Sequence, residues 1–127
     1  MQDSATSTTV GGKRLISSRE VEGTTVYGAD GEKVGCIDHL VIERVSGQVA
    51  YAVIDFGGFL GRLKSHYRLP WPALKYDTKL DGYRTDVTKE QLNCAPGFDD
   101  DSYADRDWEI ETHRNYGVEP YWIKSSI

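Results

Sequence analysis

From residue 15 onward, apolar and polar positions alternate in short blocks, each closed by a glycine or a proline. The stretch Leu15-Ile-Ser-Ser-Arg-Glu-Val-Glu-Gly23 predicts a brief helix. Ser17 is placed to cap its first turn while Glu20 reaches back, Ile16 and Val21 take the staple positions, and Gly23 supplies a left-handed exit. Strand signals follow at Thr24–Val26 and, beyond an Ala29-Asp-Gly31 turn, at Lys33–Glu43, which is rich in β-branched residues. Ser46-Gly47 marks a hairpin turn. Val49–Phe56 (VAYAVIDF) is apolar at both parities, which predicts either a closed barrel or a sheet covered on its second face. Further strands are expected at His66–Trp71, Leu74–Asp77 and, after an Asp81-Gly82 turn, Tyr83–Val87. Thr88-Lys-Glu-Gln91 is a second capping box, opening a short helix through Leu92 that ends before Ala95-Pro96-Gly97. Trp108–Tyr116 predicts another helix, stopped by Gly117, and Pro120-Tyr-Trp122 closes the chain with aromatic side chains.

Antiparallel strands joined by short glycine turns at this spacing indicate a mainly β protein, a small barrel or sandwich. The chain has 127 residues, which fits one domain. Its eight Tyr, three Trp and three Phe give ample material for a core. Residues 1–12, small and rich in Ser and Thr, read as a disordered arm, residues 13–98 as the folded domain, and residues 99–127 as an acidic linker and tail. The net charge of −5 arises in that tail: residues 1–98 carry twelve acids and twelve bases, residues 99–127 eight acids and three bases. A neutral body with an acidic tail lacks the basic footprint of a nucleic-acid binder. Cys36 and Cys94 lie far apart and form no C-x-x-C, so neither a disulfide framework nor a zinc site is expected. The N-terminus lacks a secretory signal pattern, and no run approaches the roughly 18 apolar residues that cross a bilayer. A soluble, cytoplasmic protein is the expectation.

The chemistry of the loop at 58–65 needs weighing. Gly58-Phe-Leu-Gly-Arg-Leu-Lys64-Ser65 is one residue away from a phosphate-cradling loop, with Leu63 where the second glycine belongs. Such a loop also needs a following helix, and Pro70 would stop one early. Gly57, Gly58 and Gly61 are therefore read as turning a barrel corner. If residues 62–69 are extended, Arg62, Lys64, His66 and Arg68 share one parity and form a cationic stripe. It is read either as a solvated, charge-protected edge or as a docking strip for an anionic surface, the acidic tail included. The acids between Asp99 and Glu111 do not match a calcium loop, since the sixth position falls on Ala104 or Ile110 instead of glycine. His39, His66 and His113 have no zinc spacing, and no G-x-S-x-G elbow is present. Cys36 reads as a small core residue. No catalytic, cofactor or metal residues are assigned.

Taken in order, Val34-Gly-Cys-Ile-Asp-His-Leu40, Ser46-Gly-Gln-Val-Ala-Tyr-Ala-Val53, Phe56-Gly-Gly-Phe-Leu-Gly61, Leu69-Pro-Trp-Pro-Ala-Leu74 and Val87-Thr-Lys-Glu-Gln-Leu92 resemble the PRC-barrel domain. That barrel occurs in the cytoplasmic part of photosynthetic reaction-centre H subunits and at the C-terminus of a ribosome maturation factor. The resemblance spans residues 15–98, and the trailing Trp108…Tyr116-Gly…Pro120-Tyr-Trp122 is similar to tails of stand-alone bacterial members. It implies a six-stranded antiparallel barrel with short flanking helices, acting as a non-catalytic binding and assembly module without a cofactor. The H subunit's membrane helix and the ribosome factor's preceding domain have no counterpart here, so neither role is carried over. The expected partner is a second copy of the chain, with Trp108, Tyr116, Tyr121 and Trp122 as candidate interface anchors. An unidentified protein partner is also expected, and the alternatives are an accessory subunit of a membrane-bound electron-transfer or photosynthetic reaction-centre complex, and an anion-binding protein using the Arg62, Lys64, His66 and Arg68 stripe.

Overall fold

The computed structural model describes residues 14–57, 66–99, 102 and 105–123. Helix α1 (Ser18–Val21) leads into β1 (Thr25–Tyr27), β2 (Lys33–Ile42), β3 (Val49–Asp55) and β4 (His66–Pro70). A 3-10 turn (Trp71–Ala73) joins β4 to β5 (Leu74–Asp77), which pairs with β6 (Gly82–Thr85); α2 (Lys89–Cys94) and α3 (Arg106–Tyr116) follow. Both expected capping boxes are present, Ser17 with Glu20 and Thr88 with Gln91. The disordered-arm reading of residues 1–12, and the readings placed on Gly58, Gly61, Arg62 and Lys64, lie outside the described residues.

The six strands form one sheet in the order β4-β3-β2-β1-β6-β5, curled into a half-barrel. Chain geometry requires the curl. Laid flat, six strands would separate β4 from β5 by about 24 Å. Pro70 and Leu74 are four residues apart and reach at most about 14 Å. The two edges of the sheet are thus consecutive pieces of chain, and the sheet has to roll to bring them together.

The same connection corrects the expected all-antiparallel pairing. The short 3-10 turn carries β4 into β5 without a hairpin reversal, and the β5–β6 hairpin then brings β6 against the free side of β1. There it runs parallel, with Val26 opposite Tyr83 and Tyr27 opposite Arg84. The other four pairings are antiparallel. The sheet is mixed because the two edge strands β4 and β5 run in the same direction, so the β5–β6 hairpin brings β6 to β1 parallel.

The main core lies inside the curl. Val26, Ile37, Ile54, Leu69 and Tyr83 meet there, with Val21 of α1, Leu92 of α2 and Tyr116 of α3 closing its ends. Along β3, Ala52 and Ile54 point into this core, while Tyr51 belongs to a second cluster with Ala50 and Trp108. The apolar run at both parities is explained: one face is rolled inward and the other is covered by α3. At Gly35 the strands approach closely, and a Cβ there would lie 2.5 Å from the Asp55 carbonyl oxygen. Gly57, two residues beyond the end of β3, has φ +53, and its N–H donates to Asp55 Oδ1 at 2.7 Å, which turns the chain out of the sheet.

Candidate functional site

The densest group of polar and aromatic side chains lies where α3 crosses the outer face of β3 and β4. Two backbone devices fix α3. Asp105 caps it, accepting from Asp107 N at 3.0 Å and Trp108 N at 3.3 Å. Gly117, in the left-handed region at φ +67, ends it, with its N–H donating back to Arg114 and His113. Between the caps, residues 108, 112 and 116 recur at helical spacing and face the sheet, and Glu109 and His113 are carried inward beside them.

Glu109 is the centre of the cluster. It is 7 % exposed, and its Oε1 accepts from the Tyr51 hydroxyl at 2.8 Å and the Tyr121 hydroxyl at 2.7 Å. Its Oε2 lies 3.4 Å from Arg106 Nε, and the Arg106 guanidinium sits 3.7 Å from the centre of the Trp122 ring. Burial, and then the bond to Glu109, push the Tyr51 hydroxyl far above its ordinary range and that of Tyr121 up to about 12. His113 Nδ1 donates to the Glu109 carbonyl at 2.7 Å, which puts a proton on Nδ1. Its ring packs among those of Tyr51, Tyr121 and Trp122 at 5.4 to 5.9 Å. Trp108 Nε1, Thr112 Oγ1 and His113 Nε2 are buried without hydrogen-bond partners among the described residues.

The expected cationic stripe is divided. Arg62 and Lys64 lie outside the described residues. His66 is exposed, with Nε2 3.7 Å from Asp38 Oδ1 and 3.6 Å from Asp55 Oδ2. His39 Nδ1 lies 2.6 Å from the other Asp38 oxygen. This bond, opposed by some desolvation, holds Asp38 below the usual carboxylate range. Arg68 is not on the surface. It is 6 % exposed, and its guanidinium lies 3.8 Å from the centre of the Phe98 ring and 5.3 Å from that of Trp108. Phe98 and Trp108 cover this arginine with aromatic faces, since a guanidinium leaving water is well matched by ring quadrupoles.

Trp108 and Tyr116 pack inside the chain, leaving Tyr121 and Trp122 half-buried at its surface. Sequence reading missed Glu109, counting it among the solvated acids. The signal was available: once Trp108, Thr112 and Tyr116 define the inner stripe, Glu109 and His113 fall on the same face while Ile110 falls outside. Beside the cluster, a groove of about 540 Å³ runs between α3 and the end of the β2–β3 hairpin, with Ile42, Arg44, Tyr51, Arg106, Glu109 and Tyr121 on its walls. Among the described residues no group of three His, Cys, Asp or Glu side chains is arranged to hold a metal ion, and no helix is long and apolar enough to cross a membrane. Both cysteines are free thiols, Cys36 half-buried and Cys94 exposed.

No curated protein matches the chain. The family model of the PRC-barrel domain matches residues 13–92. That interval holds all six strands, α1, the first four residues of α2 and, from the Glu109 cluster, Tyr51, while α3 with Glu109 itself lies beyond it. Well over half of the sequence is matched, and the chain belongs to the PRC-barrel family.

Proposed function

We propose that this protein is a non-catalytic binding and assembly module that works by pairing with a second copy of itself. The observation that carries this reading is how the Glu109 cluster spends its groups. A buried carboxylate between two tyrosines and an arginine is the arrangement in the chain most like an active site. Its acceptors are taken by Tyr51 and Tyr121, its charge is met by Arg106, and both phenols are held protonated. The cluster ties α3 to the sheet, and neither the Glu109 carboxylate nor the two phenols is left poised as an acid or a base. Surface suited to contact lies instead at the end of the β2–β3 hairpin, where Ile42 is 49 % exposed and Val45 89 %. Membership of a barrel family used in assemblies agrees with this use.

Sedimentation equilibrium of the whole chain over a concentration series tests the reading. The expected result is a mass rising from the 14.3 kDa of one chain towards twice that value. A single-chain mass at every concentration would overturn it.

A further inference from the structure

α3 is held to the barrel less evenly than the barrel holds itself. The main core is built by the strands, α1 and α2; among the described residues, Tyr116 is the one buried apolar side chain that α3 adds to it. The other apolar contacts of α3 lie outside the curl, in the small cluster of Ala50, Tyr51 and Trp108. Hydrogen bonds join helix and barrel toward the two ends of α3. Near its start the Tyr51 hydroxyl donates to Glu109 at 2.8 Å. Near its finish Asn115 Nδ2 donates to the Gln91 carbonyl at 2.7 Å, and Gln91 Nε2 donates to the Asn115 carbonyl at 3.3 Å. The inner face is otherwise poorly matched. Trp108 Nε1, Thr112 Oγ1, His113 Nε2 and the Tyr116 hydroxyl are buried without hydrogen-bond partners among the described residues. Water would satisfy each of them once the helix lifted, so each favours release.

We infer that α3 is a strap, released from the outer face of the sheet as one unit while the barrel stays folded. Its position in the chain allows this. All six strands precede residue 92, where the family match ends, so lifting α3 takes no strand with it. Its length makes release all-or-none. Eleven residues form too short a helix to persist alone in water, so α3 melts from end to end when it leaves the sheet. Release bares Ala50 and Tyr51 of β3, each 2 % exposed while the strap is on, and Arg68 of β4, 6 % exposed. The module therefore has two forms, one with this aromatic and cationic face covered and one with it open. Self-pairing at the β2–β3 hairpin end does not require the strap to move, so the two ideas stand or fall separately.

Amide exchange of the whole chain under native conditions, in rising amounts of urea, tests the strap. The amides of Ile110–Tyr116 should share one opening, about tenfold or more faster than the slowest amides of β2 and β3 and less dependent on urea. Two variants separate release from global unfolding. Ile37→Val trims the main core, which is intact in both forms, and should speed the slowest sheet amides about three- to tenfold while leaving α3 unchanged. Tyr51→Phe removes a bond made only with the strap on and should speed α3 about tenfold. If Ile37→Val accelerates α3 as much as the sheet, or α3 shares the urea dependence of the sheet, the helix leaves only with the barrel and the strap is overturned. Protection that falls away gradually from the ends of α3, or an α3 indifferent to Tyr51→Phe, would overturn it equally.

Discussion

Replacing Glu109 with alanine removes the acceptor of two hydroxyl bonds and the partner of Arg106 in one step. Hydrogen bonds to a charged group contribute about 1.5 kcal/mol or more each, and the buried Tyr51 hydroxyl left unpaired costs about another 1–3 kcal/mol. Relief from holding a carboxylate in a dry site offsets part of this. The expected net loss is about 3 kcal/mol, or roughly 10 °C in Tm for a domain of this size. Glu109→Gln keeps an oxygen that accepts from both tyrosines and should lose only about 1–1.5 kcal/mol. Urea unfolding followed by tryptophan fluorescence gives the totals, because Trp108 and Trp122 lie in the cluster and Trp71 against the main core. Amide exchange across Arg106–Tyr116 shows whether the loss falls on α3. A loss below about 1 kcal/mol for Glu109→Ala, or equal losses for both variants, would refute the reasoning that bonds to this carboxylate hold the helix.

Three further outcomes follow from the packing. Gly35→Ala drives a Cβ to 2.5 Å from the Asp55 carbonyl oxygen and should destabilise by about 1–3 kcal/mol in chemical denaturation; an unchanged midpoint would show that the β2–β3 approach is looser than described. Arg68→Met keeps the buried stem but removes the cation over Phe98 and Trp108, and should cost about 1–2 kcal/mol with faster exchange in α3, where a rise in stability would mean that the charge is a net burden. In alkali the sign is set by the raised phenol. The ordinary tyrosine value is 10 and that of Tyr121 is about 12, so its contribution is complete below pH 10 and is lost as pH rises through 12. Absorbance near the phenolate band should show a fraction of the tyrosines, Tyr121 among them, ionising only in that upper range or on unfolding, and complete ionisation at pH 10 with the fold intact would contradict the buried network.

Much of this fold is legible in the sequence because local rules and burial agree. The Ser17 and Thr88 capping boxes, the Gly117 stop and the two-sided apolar run of β3 each state their role within a few residues. Resemblance supplied the barrel. The parallel β1–β6 contact was not legible, since it depends on where the β5–β6 hairpin lands after the sheet has rolled, a relation between distant segments. The site was the less readable part. Arg68 has the parity of a solvated stripe, and only the tertiary approach of Phe98 and Trp108 takes it out of water. Glu109 sits in an acidic run whose composition argues for solvent exposure; two hydroxyls from residues 51 and 121 make its burial tolerable. Polar groups placed inside by distant partners leave only a helical phase in the sequence, and Ile110 on the exposed face obscures even that.

Self-pairing through the end of the β2–β3 hairpin is tested most directly by backbone amide exchange at increasing protein concentration. The account predicts protection that grows with concentration and centres on the hairpin end around Ile42 and Val45, with the amides of α3 unchanged. Exchange there that is the same in dilute and concentrated protein, with protection gained elsewhere or nowhere, would contradict it.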